Sequence, residues 1–146
     1  MIVVNLALLA PAAALALWSL VVLFWMLLTR LPAARKAGVD LRAARPGTRG
    51  KDLDGVLPDR ANWKAHNFNH LMEQPTLFYA LTLILALAGG GTADVVLAWT
   101  YVAVRVLHSL WQSLVNTLPV RGALFGLGTL VLVAMAVRAL VLTLAA

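Results

Sequence analysis

The chain of 146 residues contains no cysteine at all. Disulfide bonds, thiolate metal sites and a cysteine nucleophile are therefore excluded, and any thiol chemistry needs a thiol that the substrate brings. Charge is also scarce, because Asp, Glu, Lys and Arg make up 12% of the residues, against about a quarter in ordinary soluble domains. Hydrophobic residues make up 62%. This composition indicates a membrane protein.

The basic residues are concentrated in one segment. The net charge is +6, and nine of the twelve Lys and Arg residues fall between positions 30 and 64. They are not interleaved with aromatic residues as in a surface that stacks bases, so we expect no nucleic-acid partner. An excess of Arg and Lys is typical of a loop on the cytoplasmic side of a membrane.

Apolar segments predict four transmembrane helices, at about residues 2–30, 60–89, 94–117 and 119–145. The first carries no charge from residue 2 to residue 29, which is long enough to cross a hydrocarbon core of about 30 Å. A cleavable signal peptide is the alternative, but the basic start is missing and the apolar run is too long. We therefore expect a single all-α domain, an integral membrane four-helix bundle.

Prolines and glycines interrupt residues 31–59, which predicts a loop between the first two helices. Its positive charge places it in the cytoplasm, so both termini are expected outside. The loop is either only a determinant of topology or a site for lipid headgroups or a partner. An abundance of Ala and of Arg over Lys suggests a bacterial inner membrane.

A full positive charge, Arg105, lies inside the third predicted helix. Steps of three or four residues place five polar side chains on one helix face: Tyr101, Arg105, His108, Gln112 and Asn116. A charge at bilayer depth costs at least about 2.5 kcal/mol, so it faces the bundle interior and is a candidate functional residue. The alternative is that these polar residues only hold helices together.

The second predicted helix carries a matching polar face. His66, Asn69, His70 and Glu73 are spaced to share that face, and Pro75 predicts a kink close to them. Glu73 and Arg105 fall at similar depth, so an ion pair between the two side chains is the economical structural interpretation.

The two faces together predict a polar cavity that opens to the cytoplasmic side. Its lining would comprise His66, Asn69, His70, His108, Gln112 and Arg121. Such donors and cations suit an anionic ligand. The spacing of His66 and His70 also occurs in metal sites, with Glu73 and His108 as further ligands. Arg105 would oppose a bound cation, so we expect no metal.

Two stretches resemble the membrane-associated proteins in eicosanoid and glutathione metabolism, the MAPEG family. YVAVRVLHSLWQSLVNTLPVR is similar to the third and fourth helices of its glutathione-using prostaglandin synthase branch, with Arg105, His108 and Pro119 at matching positions. Arg121 matches the arginine that is held to activate the glutathione thiol. NFNHLMEQPTLFYA resembles the family pattern in the second helix through Glu73.

Three positions depart from the glutathione-binding branch. His66 stands where that branch has an arginine, His70 where it has an asparagine, and Gln112 where a tyrosine is expected. The chain therefore resembles the poorly characterised bacterial members of the family.

The resemblance implies a homotrimer with a site between subunits near the cytoplasmic side. It implies that Arg121 stabilises the thiolate of the co-substrate glutathione, for attack on a lipophilic electrophile or peroxide from the membrane lipid, with Arg105 and Glu73 organising the site. The alternative is a non-catalytic protein that binds a lipid or another small molecule, or an assembly component. A small multidrug transporter has a similar size, but its acidic residue in helix one is missing here.

Overall fold

The computed structural model describes residues 4–40 and 42–145. Within these residues there are five α-helices and no strand. The helices are α1 (Leu9–Lys36), α2 (Asp59–Glu73), α3 (Pro75–Leu87), α4 (Thr92–Leu114) and α5 (Leu118–Leu144). Short 3-10 turns precede α1 at Leu6–Leu8 and lie in the loop at Gly50–Leu53. The predicted all-α fold is confirmed.

Helices α2 and α3 are two halves of one kinked helix. Only Gln74 separates them, and Pro75 is the first residue of α3. Proline has no N–H, so the carbonyl of Leu71 loses the partner it would have in an unbroken helix. Neither half is long enough to cross a membrane alone. The α2–α3 unit therefore counts as one member of a four-helix bundle.

The other three members are long and apolar enough to span a membrane. These spans are Leu6–Lys36, Thr92–Leu114 and Leu118–Leu144. Large apolar side chains remain exposed along them, for example Leu20, Phe24 and Leu28 on α1 and Leu130 and Val137 on α5. Such exposed apolar surface is normal where the surrounding solvent is lipid.

Two helix ends differ from the sequence-based expectation, and a left-handed residue marks each. Helix α1 continues through Pro32 to Lys36 instead of ending near residue 30, because the four residues after the proline (Ala, Ala, Arg and Lys) are good helix formers. It stops before Gly38, which has a φ of 71° and donates its N–H to the carbonyl of Arg35. Helix α4 ends at Leu114 instead of residue 117, because Asn116 takes a φ of 59°.

The core lies where all four members of the bundle meet. Leu15 and Val22 of α1, Phe78 of α3, Tyr101 of α4 and Met135 of α5 are buried there. The rings of Phe78 and Tyr101 stack with their centroids 4.6 Å apart. This apolar layer separates the polar region of α2 and α4 from the opposite end of the bundle.

At that opposite end an ion pair joins the start of α4 to α5. Asp94 is fully buried, accepts a hydrogen bond from the N–H of Gly91, and pairs with the guanidinium of Arg138. The second contact, from Arg138 Nη2 to Asp94 Oδ2, is 2.9 Å. The pair fixes the register of the two helices that carry most of the candidate site.

We predict that Arg138→Leu lowers the free energy of unfolding, because it leaves the Asp94 carboxylate buried without a cation. The loss is smaller than for a fully enclosed pair, since the Arg138 side chain is 44% exposed. Thermal unfolding in detergent, followed by circular dichroism, measures it. The variant Arg138→Lys keeps the charge and should lose less; equal losses would contradict a role for the charge.

Candidate functional site

Arg105 is enclosed between α2 and α4. Its side chain is 1% exposed. Nη2 donates to the carbonyl of His70 at 2.8 Å, and Nη1 donates to Oε1 of Gln74 at 3.3 Å. The guanidinium therefore binds α2 at its last turn, next to the kink.

Gln74 connects three helices at the kink. Its Oε1 accepts from Arg105 and from the hydroxyl of Tyr101, and its Nε2 donates to Oγ1 of Thr129 on α5 at 2.8 Å. Sequence patterns did not single out this residue, because a lone Gln beside a proline carries no periodic signal. The doublet Gln74-Pro75 is the feature that would have drawn attention to it.

The expected ion pair between Glu73 and Arg105 is not formed. Glu73 is exposed and has no cationic partner within 4 Å among the residues that the structure describes. The carboxylate lies on the outer side of α2, while Arg105 reaches the backbone on the inner side. Arg105 donates instead to the backbone oxygen of His70 and to the amide oxygen of Gln74, where the sequence pattern had predicted the carboxylate of Glu73.

The predicted polar cavity is divided into two. The first, which we name the inner cavity, has a volume of about 210 Å³ and is lined by His70, His108, Leu118, Arg121, Gly122 and Phe125. Arg121 donates to Oδ1 of Asn116 at 2.7 Å and makes no other side-chain hydrogen bond in the described part of the chain. Its remaining N–H groups are available to a ligand.

Two histidines form one wall of the inner cavity. The ring centroids of His70 and His108 are 4.9 Å apart, and His70 also stacks on Phe125 at 5.3 Å. His108 is 1% exposed. The cavity thus combines a cation with two imidazoles, a combination that suits an anion or a polarisable group such as sulfur.

The second cavity, which we name the loop cavity, lies between α1, α2 and the cytoplasmic loop predicted from the sequence. Its volume is about 390 Å³, and its polar lining is Arg30, Arg49, Lys51, Asp54, His66 and Asn69. Asp54 lies 3.6 Å from Arg30 and 3.0 Å from Nε2 of His66. A carboxylate of the loop therefore already occupies part of this cationic surface.

The two cavities exist because neighbouring residues of one helix turn point to different partners. His66 and Asn69 face α1 and the loop, whereas His70 faces α4 and α5. Gln112 belongs to neither cavity lining; it is buried one turn beyond His108, and its Oε1 has no hydrogen-bond partner among the described residues. The spacing of residues on α2 shows which side chains share a face. It does not show which of the other helices each side chain will contact.

A buried polar cluster that the sequence analysis missed supports the inner cavity. Asn67 donates to the hydroxyls of Ser109 and Ser113 at 2.7 and 2.8 Å. The indole of Trp18 also donates to Ser109, at 3.0 Å. The signal was present in the i, i+4 spacing of the two serines, beside His108. This cluster joins α1 and α2 to α4.

In the described part of the chain, no three His, Asp or Glu side chains converge as a metal ion would require. His66 is paired with Asp54 of the loop, while His70 and His108 meet on the other side of α2. The metal alternative that was drawn from the spacing of His66 and His70 therefore has no geometric support here.

Comparison with protein-family models extends this picture. The MAPEG family model matches residues 8–141, nearly the whole chain. The chain belongs to the MAPEG family. The resemblance found in the sequence is thus confirmed, and with it an integral membrane helical bundle of the kind found in glutathione and eicosanoid metabolism. Comparisons with curated proteins and with solved structures gave no match.

We predict that Gln74→Leu lowers the free energy of unfolding by about 2 kcal/mol, because it leaves a buried guanidinium N–H and the hydroxyl of Tyr101 without an acceptor. Denaturant titration in detergent measures the change. Met72→Leu, at an exposed position two residues before Gln74, should change stability by less than about 0.5 kcal/mol. Equal changes in the free energy of unfolding for the two substitutions would contradict a stabilising role for the Gln74 side chain.

Proposed function

We propose that this MAPEG protein is a glutathione-dependent transferase or peroxidase that acts on lipophilic electrophiles. The observation that carries the proposal is the inner cavity, in which Arg121 shares a small space with His70 and His108. An arginine that only anchored the chain to lipid headgroups would extend toward the membrane surface. Arg121 instead lines a cavity and keeps N–H groups unused.

In this proposal the Arg121 guanidinium stabilises the glutathione thiolate. Arginine keeps its positive charge at any depth, and its fixed N–H groups lie close to the developing negative charge. A thiolate is a far stronger nucleophile than a thiol, so a cation beside the sulfur favours attack. The chain has no cysteine, so the nucleophilic sulfur would come from glutathione.

The loop cavity, on a different side of α2 from the inner cavity, is a separate cationic surface that suits a carboxylate. Arg30, Arg49 and Lys51 supply positive charge, and His66 and Asn69 supply further polar contacts. His66 thereby takes over part of the role of the arginine that the glutathione-binding branch has at this position. Arg105 has a different role in our proposal: both of its terminal nitrogens donate inside the subunit, so it positions His70 and does not touch the ligand.

We further propose that the protein is a homotrimer with the site completed by a neighbouring subunit. Glu73 and Asn69 are exposed on a helix at or near membrane depth, where an unshielded carboxylate is costly. On α5, Gly122 and Gly126 face open space within the subunit. A neighbouring helix that packs on these surfaces would shield Glu73 and close the inner cavity.

We also propose a bacterial inner membrane, with the loop between α1 and α2 in the cytoplasm and both termini outside. The orientation is supported by the concentration of Arg and Lys between positions 30 and 64. The bacterial source is supported by the abundance of Ala and of Arg over Lys. Glutathione would then reach the loop cavity from the cytoplasm, while the electrophile arrives through the lipid.

A second candidate function is the binding of a lipid or another apolar small molecule without catalysis. It is favoured by an apolar groove of about 410 Å³ between α3 and α5, with Leu77, Ile84 and Val133 among its lining residues. The only polar members of that lining, Gln74 and Thr129, bind each other. A ligand of this groove would make almost solely apolar contacts.

Isothermal titration calorimetry of the purified protein with glutathione separates the two functions. We expect saturable binding that Arg121→Ala weakens at least tenfold, about 1.4 kcal/mol. The matched control is Arg45→Ala, an exposed loop arginine outside both cavities, which should leave the affinity unchanged. No binding up to millimolar concentration would exclude the transferase and peroxidase functions and favour the apolar-ligand alternative.

Light scattering of the protein in detergent tests the trimer. We expect a protein mass of three chains for the wild type and a lower mass for Glu73→Leu, because the neighbouring subunit then loses its polar contact. Met72→Leu, at the exposed preceding position, should remain trimeric. A wild-type mass of one or two chains contradicts the proposed assembly.

A further inference from the structure

The two histidines of the inner cavity carry polar atoms that nothing in the described chain satisfies. Nδ1 and Nε2 of His108 and Nδ1 of His70 are buried and have no hydrogen-bond partner among the described residues. A buried polar group left without a partner costs about 1–3 kcal/mol. Two adjacent rings with this deficit indicate a polar ligand in the cavity that both rings line.

The rings are held in place before any ligand arrives. Arg105 fixes the backbone of His70 through its carbonyl, and Phe125 stacks on the His70 ring. His108 is buried on the facing side of α4. Neither imidazole is attached to a flexible loop, so both keep their distance to Arg121 across the cavity. Preorganised groups of this kind are suited to accepting or donating a proton.

The surrounding charges restrict when an imidazole can become positive. Arg105 of α4 and Arg121 of α5 both lie close to the pair, and Glu73 of α2 is exposed on the outer side. A further positive charge between two arginines is unfavourable unless a negative charge enters with it. Deprotonation of a thiol inside the cavity meets this condition, because it forms a thiolate and an imidazolium at the same moment.

We propose that the His70 and His108 pair accepts the thiol proton of glutathione; this inference rests on the proposed function. The S–H bond breaks, the proton moves to a ring nitrogen, and the electron pair stays on sulfur beside Arg121. The thiolate then forms the bond to the electrophile. As sulfur bonds to the electrophile, a bond within the electrophile breaks and its electron pair stays on one atom. The imidazolium returns its proton to that atom. No other reactant is needed.

The proton itself provides the test. Glutathione is titrated calorimetrically at neutral pH in two buffers of different ionisation enthalpy, which gives the number of protons released per bound molecule. Ultraviolet difference absorption reports whether the bound sulfur is a thiolate. The variants are His70→Asn, His108→Gln and the double variant, and S-methylglutathione, which has no thiol proton, is the control ligand for an intact cavity.

For the wild type we expect a bound thiolate with far less than one proton released. In the double variant we expect either loss of the thiolate signal or release that rises toward one proton, while S-methylglutathione still binds. Equal thiolate fraction and equal proton release in wild type and double variant would overturn the inference and leave glutathione binding intact. If glutathione does not bind the wild type at all, the proposed function fails, and the proton role fails with it.

Discussion

The arrangement of the candidate site depends on one buried cation. Arg105 is enclosed by α2 and α4 without a carboxylate partner, and its charge is balanced by the oxygens of His70 and Gln74. Burial of a charge in this way is costly unless hydrogen bonds compensate it. Both oxygens lie in the residues just before Pro75, so the buried cation holds the segment where α2 passes into α3. Because the bonded carbonyl belongs to His70, the same contact holds the main chain from which one of the two imidazoles extends.

The sequence was informative where a pattern is local. A 3.6-residue period placed five polar residues on one face of α4. Tyr101, Arg105, His108 and Gln112 are buried as expected, whereas Asn116 lies beyond the end of the helix. Apolar length gave the four members of the bundle, and the match to the MAPEG family confirms what the motifs around Arg105 and Glu73 suggested. These inferences need only neighbours in sequence, whose relative positions on a helix are fixed by its geometry.

The sequence was uninformative where distant segments meet. Nothing local shows that Asp94 pairs with Arg138, that the loop brings Asp54 to His66, or that Asn67 reaches two serines on α4. The ion pair drawn between Glu73 and Arg105 was wrong for the same reason: similar depth on two helices does not fix the direction of either side chain. The division of the polar face of α2 between two cavities also depends on the packing of α1, α4 and α5 around it.

Two environments meet at the α2–α3 kink. On one side lie the cationic loop cavity and the inner cavity, on the other the apolar groove between α3 and α5. A reaction between a charged tripeptide and a lipophilic partner needs such a boundary, because each reactant stays in its own solvent until the reacting atoms meet. Gln74 stands at this boundary, since it binds Arg105 on one side and Thr129 on the other.

The central claim is that the inner cavity receives the sulfur of glutathione. A structure of the purified protein with glutathione bound tests it most directly, through the position of the sulfur atom. The account predicts sulfur within contact distance of the Arg121 guanidinium and of the His70 and His108 rings. Sulfur located in the loop cavity, or in the apolar groove between α3 and α5, would contradict it.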